Sequence, residues 1–203
     1  MPAHTVIVST RNKGKIREIR EVLGAEFDVR DLTSLPGFPE VEETGSTFHE
    51  NSALKARAAS CACGDWVIAD DSGLEVDALG GAPGVLSARF AGEEADDAAN
   101  IALLLRKLQG VPERDRCARF RCVISVARKG RVLAAFSGTV EGQIAASARG
   151  AAGFGYDPVF IPMGWTRTFA EAGAAEKHAV SHRARALAQL AAWTGWNATG
   201  DDL

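Results

Sequence analysis

The sequence predicts a mixed α/β domain, on three observations. A β-branched run, Thr5-Val6-Ile7-Val8, passes through a polar turn into a stretch where Ile16, Ile19, Val22 and Leu23 recur at helical spacing. Val67-Ile68-Ala69 is a short continuous apolar run of the kind that forms a buried strand. Two partly alternating segments, 118–127 and 131–141, flank Lys129-Gly130 and read as an antiparallel hairpin.

The remaining elements follow in order. Phe27 and Val29 suggest a short second strand, and 32–39 is a loop punctuated by proline and glycine. Thr47 and Glu50 form a capping box, in which hydroxyl and carboxylate satisfy orphan backbone donors, at the start of an alanine-rich helix running to about Cys63. The strand at 67–69 is expected to exit at Asp70-Asp71-Ser72-Gly73 into a glycine-rich loop. Residues 96–108 read as an amphipathic helix with Ile101, Leu104, Leu105 and Leu108 inward and Asp96 and Asp97 at the positive end of its dipole. Val159 to Ile161 is a last strand, and one last helix runs from Glu176 to about Trp193 with Val180, Leu187, Leu190 and Ala191 inward. The tail, 194–203, is expected to be loose. No linker separates independent units, so 1–203 reads as a single domain.

Composition narrows the classes. A chain of 203 residues with 46% hydrophobic content can bury a sizeable core. Its net charge of -3 leaves no electrostatic footprint for a nucleic-acid backbone, so any cationic site must be local. No run approaches the roughly 18 apolar residues a membrane span needs, and the first residues lack the charged and apolar regions of a secretion signal. The four cysteines fall at C-x-C and C-x4-C spacings, matching no zinc or redox pair, which suits reduced thiols. A soluble, cytoplasmic protein is expected.

Five constellations carry chemistry. Thr10, Arg11, Asn12, Lys13, Gly14 and Lys15 make a polar turn between strand and helix, a cradle whose backbone N–H groups and cations favour phosphate. It is neither a Walker A loop nor a dinucleotide fingerprint. Asp70-Asp71 could hold a hard cation such as magnesium, with one of the two side chains entering the cleft because neighbours in an extended chain point to opposite faces. Glu42-Glu43 precedes the helix that carries Asn51 and Lys55, four apart and on one face. Phe154, between two glycines, can stack on a base. Lys177, Ser181, His182 and Arg183 gather donors with few acceptors. Each has a bland alternative: a solvated helix start, a turn cap, dipole complementation, a core aromatic or surface charge.

Their order makes the sequence recognisable. The segments STRNKGK (9–15), EETGSTFHENSALKA (42–56), IADDSGLEVDALGGAPGVLSARFAG (68–92), ARFRCV (118–123), GFGYDPVF (153–160) and EKHAVSHRARAL (176–187) resemble the non-canonical purine nucleoside triphosphate pyrophosphatases, also called dITP/XTP or inosine triphosphate pyrophosphatases. The likeness runs from Val6 to about Leu190. It implies a long mixed sheet flanked by helices, two lobes with the active-site cleft between them, a homodimer, and magnesium-dependent cleavage of ITP, dITP or XTP between the α- and β-phosphates. By that resemblance the triphosphate loop falls on Thr10 to Lys15 and the catalytic, metal-side acid on Asp71. Ser72 falls on a substrate contact, Glu43 looks like the second metal-side carboxylate with Glu42 as its alternative, and Lys55 is similar to the family's lysine near the phosphates. Base recognition falls on Phe154, Gly155, Tyr156, Asp157, Lys177, His182 and Arg183.

The expected mechanism has Asp71 orienting or deprotonating a water for in-line attack on the α-phosphorus, with Lys55 and the 10–15 loop stabilising the departing pyrophosphate. A related pyrophosphatase for other modified or ordinary triphosphates is the alternative within enzymes, and a nucleotide-binding module without turnover is the alternative outside them.

Overall fold

In the computed structural model, which describes residues 4–197, six strands form one sheet in the order β2-β1-β3-β4-β5-β6. Strand β1 (His4–Val8) pairs in parallel with β2 (Phe27–Asp31) and with β3 (Val67–Val76). From β3 onward the pairing is antiparallel through β4 (Cys117–Arg128), β5 (Arg131–Ile144) and β6 (Phe160–Pro162). The sheet is mixed because its connections are of two kinds. Helices α1 (Lys13–Leu23) and α2 (Phe48–Cys63) return the chain between parallel strands, whereas β4 and β5 need only the turn at Lys129-Gly130. Helices α3 (Asp97–Lys107), α4 (Ala174–Val180) and α5 (His182–Ala191) complete the layers.

Two main cores share the long strands. One gathers Val6, Val8, Ile19, Leu23, Ile68, Ile124, Leu187 and Leu190 around β1, α1 and α5. The other gathers Leu74, Val76, Leu104, Phe120, Val140, Phe160 and Phe169 toward the opposite end of β3 and β4. Between Ile68 and Leu74, β3 crosses from one core to the other, and Asp70, Asp71 and Ser72 occupy that seam. Strands β3 and β4 are thus long enough to serve both cores.

Four expectations are corrected. Strand β3 does not exit at Asp70: it continues to Val76, because β4 pairs with every residue from Val67 to Val76 and the carboxylates find buried cationic partners. The last helix is two helices. Ser181 is extended (φ -66°, ψ 154°), its N–H closes α4 on Lys177 O and its Oγ accepts the Ala184 N–H that opens α5. The apolar spacing bridges this break, so periodicity alone reads through it. Finally, 194–197 is not loose but forms a short 3₁₀ turn, with Trp196 only 6% exposed. Its ring lies 5.1–5.4 Å from those of Trp193, Trp66 and Phe27, in an aromatic cluster that holds the turn. Residues 198–203 lie outside the described residues. Strand β6 begins one residue later than expected.

Among the described residues no helix is long and apolar enough to cross a membrane. The four cysteines are free thiols.

Burial of Trp196 gives a direct check. Trp196→Ala is expected to lower unfolding free energy by about 3 kcal/mol in urea titration, the scale for truncating a buried aromatic, where a loose tail would give almost no change.

Candidate active site

Strand β3 places its two neighbouring acids in different surroundings. Asp70 is fully buried, and both oxygens are occupied. Its Oδ1 meets Lys15 Nζ at 2.6 Å and accepts from Ser72 Oγ at 2.8 Å, while Oδ2 accepts from Arg183 Nε at 2.8 Å and from the Cys122 thiol at 3.1 Å. Burial opposes its ionisation, but Arg183 and Lys15 outweigh burial and hold its carboxyl well below the usual range. Asp71 is different: Oδ1 accepts from Lys55 Nζ at 2.9 Å, and Oδ2 is buried with no partner among the described residues. Burial raises its pKa despite Lys55 and Lys15, and the nearby Glu43 adds to the rise. A base with a raised pKa and one uncommitted oxygen is suited to holding and activating a water.

Lys55 ties this acid to the loop before α2. Its Nζ donates to Glu43 Oε1 at 2.6 Å, to Asp71 Oδ1 at 2.9 Å and to the Asp70 carbonyl at 3.0 Å. Burial disfavours the ammonium, yet Asp71 and Glu43 raise its pKa, so it stays charged. Glu43 makes these contacts, while Glu42 is exposed and lines the larger cavity without an ion pair to Lys55. Among the described residues there is no group of three or more His, Cys, Asp or Glu side chains that could hold a metal. The two carboxylates that share Lys55 nevertheless fit magnesium, which takes one or two carboxylates and completes its shell with phosphates and water. The uncommitted Asp71 Oδ2 is the atom that meets such a demand.

The 10–15 loop works as a helix start. Asn12 caps α1 by accepting the Lys15 N–H at 3.0 Å, and Thr10 Oγ1 accepts the Asn12 N–H at 3.2 Å. Arg11 donates to the Phe38 carbonyl at 3.1 Å. Lys13 is exposed and lines neither cavity described below. Gly14 is required by close approach: a Cβ there would stand 2.7 Å from the Phe154 ring. Thr10, Arg11, Asn12, Lys15, Glu43, Lys55 and Arg89 line a cavity of about 730 Å³. A smaller one of about 130 Å³ is lined by Asp71, Ser72, Phe154, Gly155, Tyr156, Asp157, Lys177, His182 and Arg183. The two meet at Asn12, Lys15, Glu43 and Ala88.

In the smaller cavity the donors of α4 and α5 are not short of acceptors, contrary to the impression their own segment gives. Lys177 Nζ reaches Glu18 Oε1 at 2.7 Å and Asp157 Oδ2 at 2.6 Å. Arg183 contacts Glu18 Oε2, Asp70 and, at 2.9 Å, Ser72 Oγ. Burial opposes Glu18's ionisation, but Arg183 and Lys177 lower its pKa; for Asp157 burial prevails over Lys177 and raises it. Phe154 lies under these cations, its ring centre 4.9 Å from Lys177 Nζ and 5.6 Å from Arg183 Cζ. His182 stacks on Phe120 at 4.8 Å, and burial, reinforced by Arg183 and Lys177, keeps it neutral. Gly155 N–H donates to Asp97 at 2.6 Å and Tyr156 Oη to the Ser87 carbonyl at 2.9 Å, fixing the segment.

Sequence reasoning missed Glu18 and Arg89. Glu18 borders the apolar stripe of α1, so only its partners, 159 and 165 residues away, reveal it. Arg89 lies inside a segment already singled out; a lone arginine carries no signal until the fold sets it 3.6 Å from Glu43.

Fold and site define a class: α/β proteins with a chamber walled by both cations (Arg11, Lys15, Lys55, Arg89) and acids, joined through an acid–lysine centre to a smaller pocket that holds Phe154. The chain belongs to the Ham1 family, whose profile matches residues 6–193. It is 50% identical over 188 residues to a dITP/XTP pyrophosphatase of Bacillus licheniformis, covering 92% of this chain and 96% of the relative. To the dITP/XTP pyrophosphatase of Geobacillus kaustophilus it is 52% identical over 186 residues, 91% of each chain. Among solved structures it is similar to the Staphylococcus aureus Ham1 protein, with a TM-score of 0.83 at 44% identity, over 93% of this chain and 96% of that one.

Asp70 generates a pH prediction. Because its folded pKa lies well below the ordinary 3.8, its stabilisation is complete above that value and drains as pH falls beneath it. Asp70→Asn should flatten this acid slope in thermal unfolding and, by stranding Lys15 and Arg183, cost about 3–5 kcal/mol at pH 7.

Proposed function

We infer that this chain hydrolyses non-canonical purine nucleoside triphosphates, namely ITP, dITP and XTP, to the monophosphate and pyrophosphate. The observation that carries the reading is the meeting of the two cavities beside Asp71, whose buried Oδ2 is uncommitted. The likeness to two dITP/XTP pyrophosphatases at about 50% identity supports the same chemistry. A base in the smaller pocket, stacked on Phe154, would send its triphosphate past Lys15 and Glu43 into the larger chamber. The phosphorus nearest Asp71 is then the α-phosphorus.

Asp71 orients a water for in-line attack and accepts its proton. Lys55, Lys15 and the amide-rich start of α1 stabilise charge on the leaving pyrophosphate, and Arg89 adds a cation on the chamber wall. Asp71 and Glu43 would hold magnesium, which when bound supplies charge neutralisation on the phosphates. Lys55 already holds both carboxylates in place.

Selectivity follows from hydrogen-bond codes. Hypoxanthine and xanthine present acceptors at O6 and N7, whereas adenine presents a donor at position six. Lys177 has an ammonium hydrogen left after Glu18 and Asp157, so an acceptor on the base completes its set and a second donor leaves it unpaired. The reading extends to one two-lobed unit clearing the nucleotide pool of the cytoplasm as a homodimer, which sedimentation velocity checks.

Pyrophosphate release across ITP, XTP, dITP, GTP and ATP, with magnesium and with chelator, tests the assignment: ITP, dITP and XTP should turn over fastest and only with metal. Asp71→Asn should lose on the order of a hundredfold or more in kcat on ITP, the scale of general-base help. Near wild-type turnover would refute its role. Lys177→Ala should narrow the ITP-over-ATP preference in kcat/KM by about tenfold or more.

A further inference from the structure

Glu43 sits on a loop, and loops hold a carboxylate only as well as they are themselves held. The backbone here is pinned at three successive N–H groups. Ser46 and Thr47 donate to Glu50 Oε2 at 2.7 and 3.1 Å, the ordinary capping of α2. Gly45 donates instead to Asn51 Oδ1 at 2.8 Å, and Asn51 is fully buried. A Cβ on Gly45 would lie 2.6 Å from Asn51 Oδ1 and 2.6 Å from Glu50 Cβ, so the loop approaches the helix as closely as a backbone can. Asn51 stands one turn before Lys55 on the same face of α2. One helix therefore grips the loop twice, by its backbone through Asn51 and by the Glu43 carboxylate through Lys55.

We propose that Asn51 is a positioning residue for the reaction: it fixes the Glu42–Gly45 backbone so that Glu43 stays opposed to Asp71 across Lys55. Capping of α2 does not require it, since Thr47 and Glu50 complete that box without Asn51. A buried amide that spends its acceptor on one loop N–H, and whose Nδ2 has no partner among the described residues, is a poor device for stability alone. Its use lies in what the loop carries. The inference rests on the reading of Glu43 as a working, metal-side carboxylate.

The test combines amide hydrogen exchange with a double-mutant cycle in the full chain. Asn51→Ala should lower protection of the Gly45 N–H at least tenfold while core amides of β3 and β4 keep theirs. The magnesium concentration for half-maximal turnover of ITP should rise by about 10–100-fold, the usual effect of removing an outer support of a metal ligand. In a Glu43→Gln background the added effect of Asn51→Ala should shrink to less than about twofold, because both substitutions disable one device. Should Asn51→Ala fail to fold, Gly45→Ala displaces the same loop with every named side chain intact and is read the same way. An unchanged Gly45 amide, or a full additional loss on top of Glu43→Gln, overturns the proposal and leaves the role of Glu43 standing. Wild-type turnover and magnesium dependence in Glu43→Gln overturn both.

Discussion

Successive side chains on a strand point to opposite faces, and β3 carries two carboxylates in succession at the seam between two cores. They cannot share a job. Asp70 meets cations from α1 and α5, and Asp71 meets the ammonium of α2. The first is saturated and strongly acidic, the second half-free with a raised pKa. The remainder of the site is arranged around that division, with the smaller cavity on the Arg183 side and the larger one opening past Lys15 and Glu43.

Asp70 also joins a lattice that runs through Arg183, Glu18 and Lys177 to Asp157. Burying five charges costs several kcal/mol each before pairing, and the same residues replaced by apolar ones would often be no less stable. What the lattice supplies is fixed position. Phe154, Lys177 and Arg183 come from a loop and two successive helices, and shared carboxylates hold them in one geometry before any ligand arrives. Glu18, bonded to both cations, links α1 to the smaller cavity.

How much of this the sequence discloses depends on whether a feature is local. The first two strands, the capping box at Thr47 and Glu50, the hairpin turn and the acidic start of α3 are written within a few residues, and each forms as read. The breadth of β3 is not local: its polar residues look like a strand exit until β4 pairs along all ten positions and cations arrive from α1, α2 and α5. The helix break at Ser181 hides for a different reason, since a capping serine between two helices in phase leaves the apolar spacing undisturbed. In the site, the motif residues were legible through resemblance, and the structure gathers them, Lys13 excepted, around two joined cavities. Partners such as Glu18, Asp97 and Ser87 were not, because their roles are set by contacts far along the chain; Asn51 was marked only by its shared face with Lys55, and its bond to the Gly45 amide has no sequence signature.

On the proposed function, Asp71 addresses the phosphorus at the junction of the two cavities, so water enters on the monophosphate side. Hydrolysis of ITP in ¹⁸O-enriched water measures this directly. The account predicts one labelled oxygen in inosine monophosphate and none in pyrophosphate; label in pyrophosphate, or in orthophosphate released from the γ-position, would contradict it.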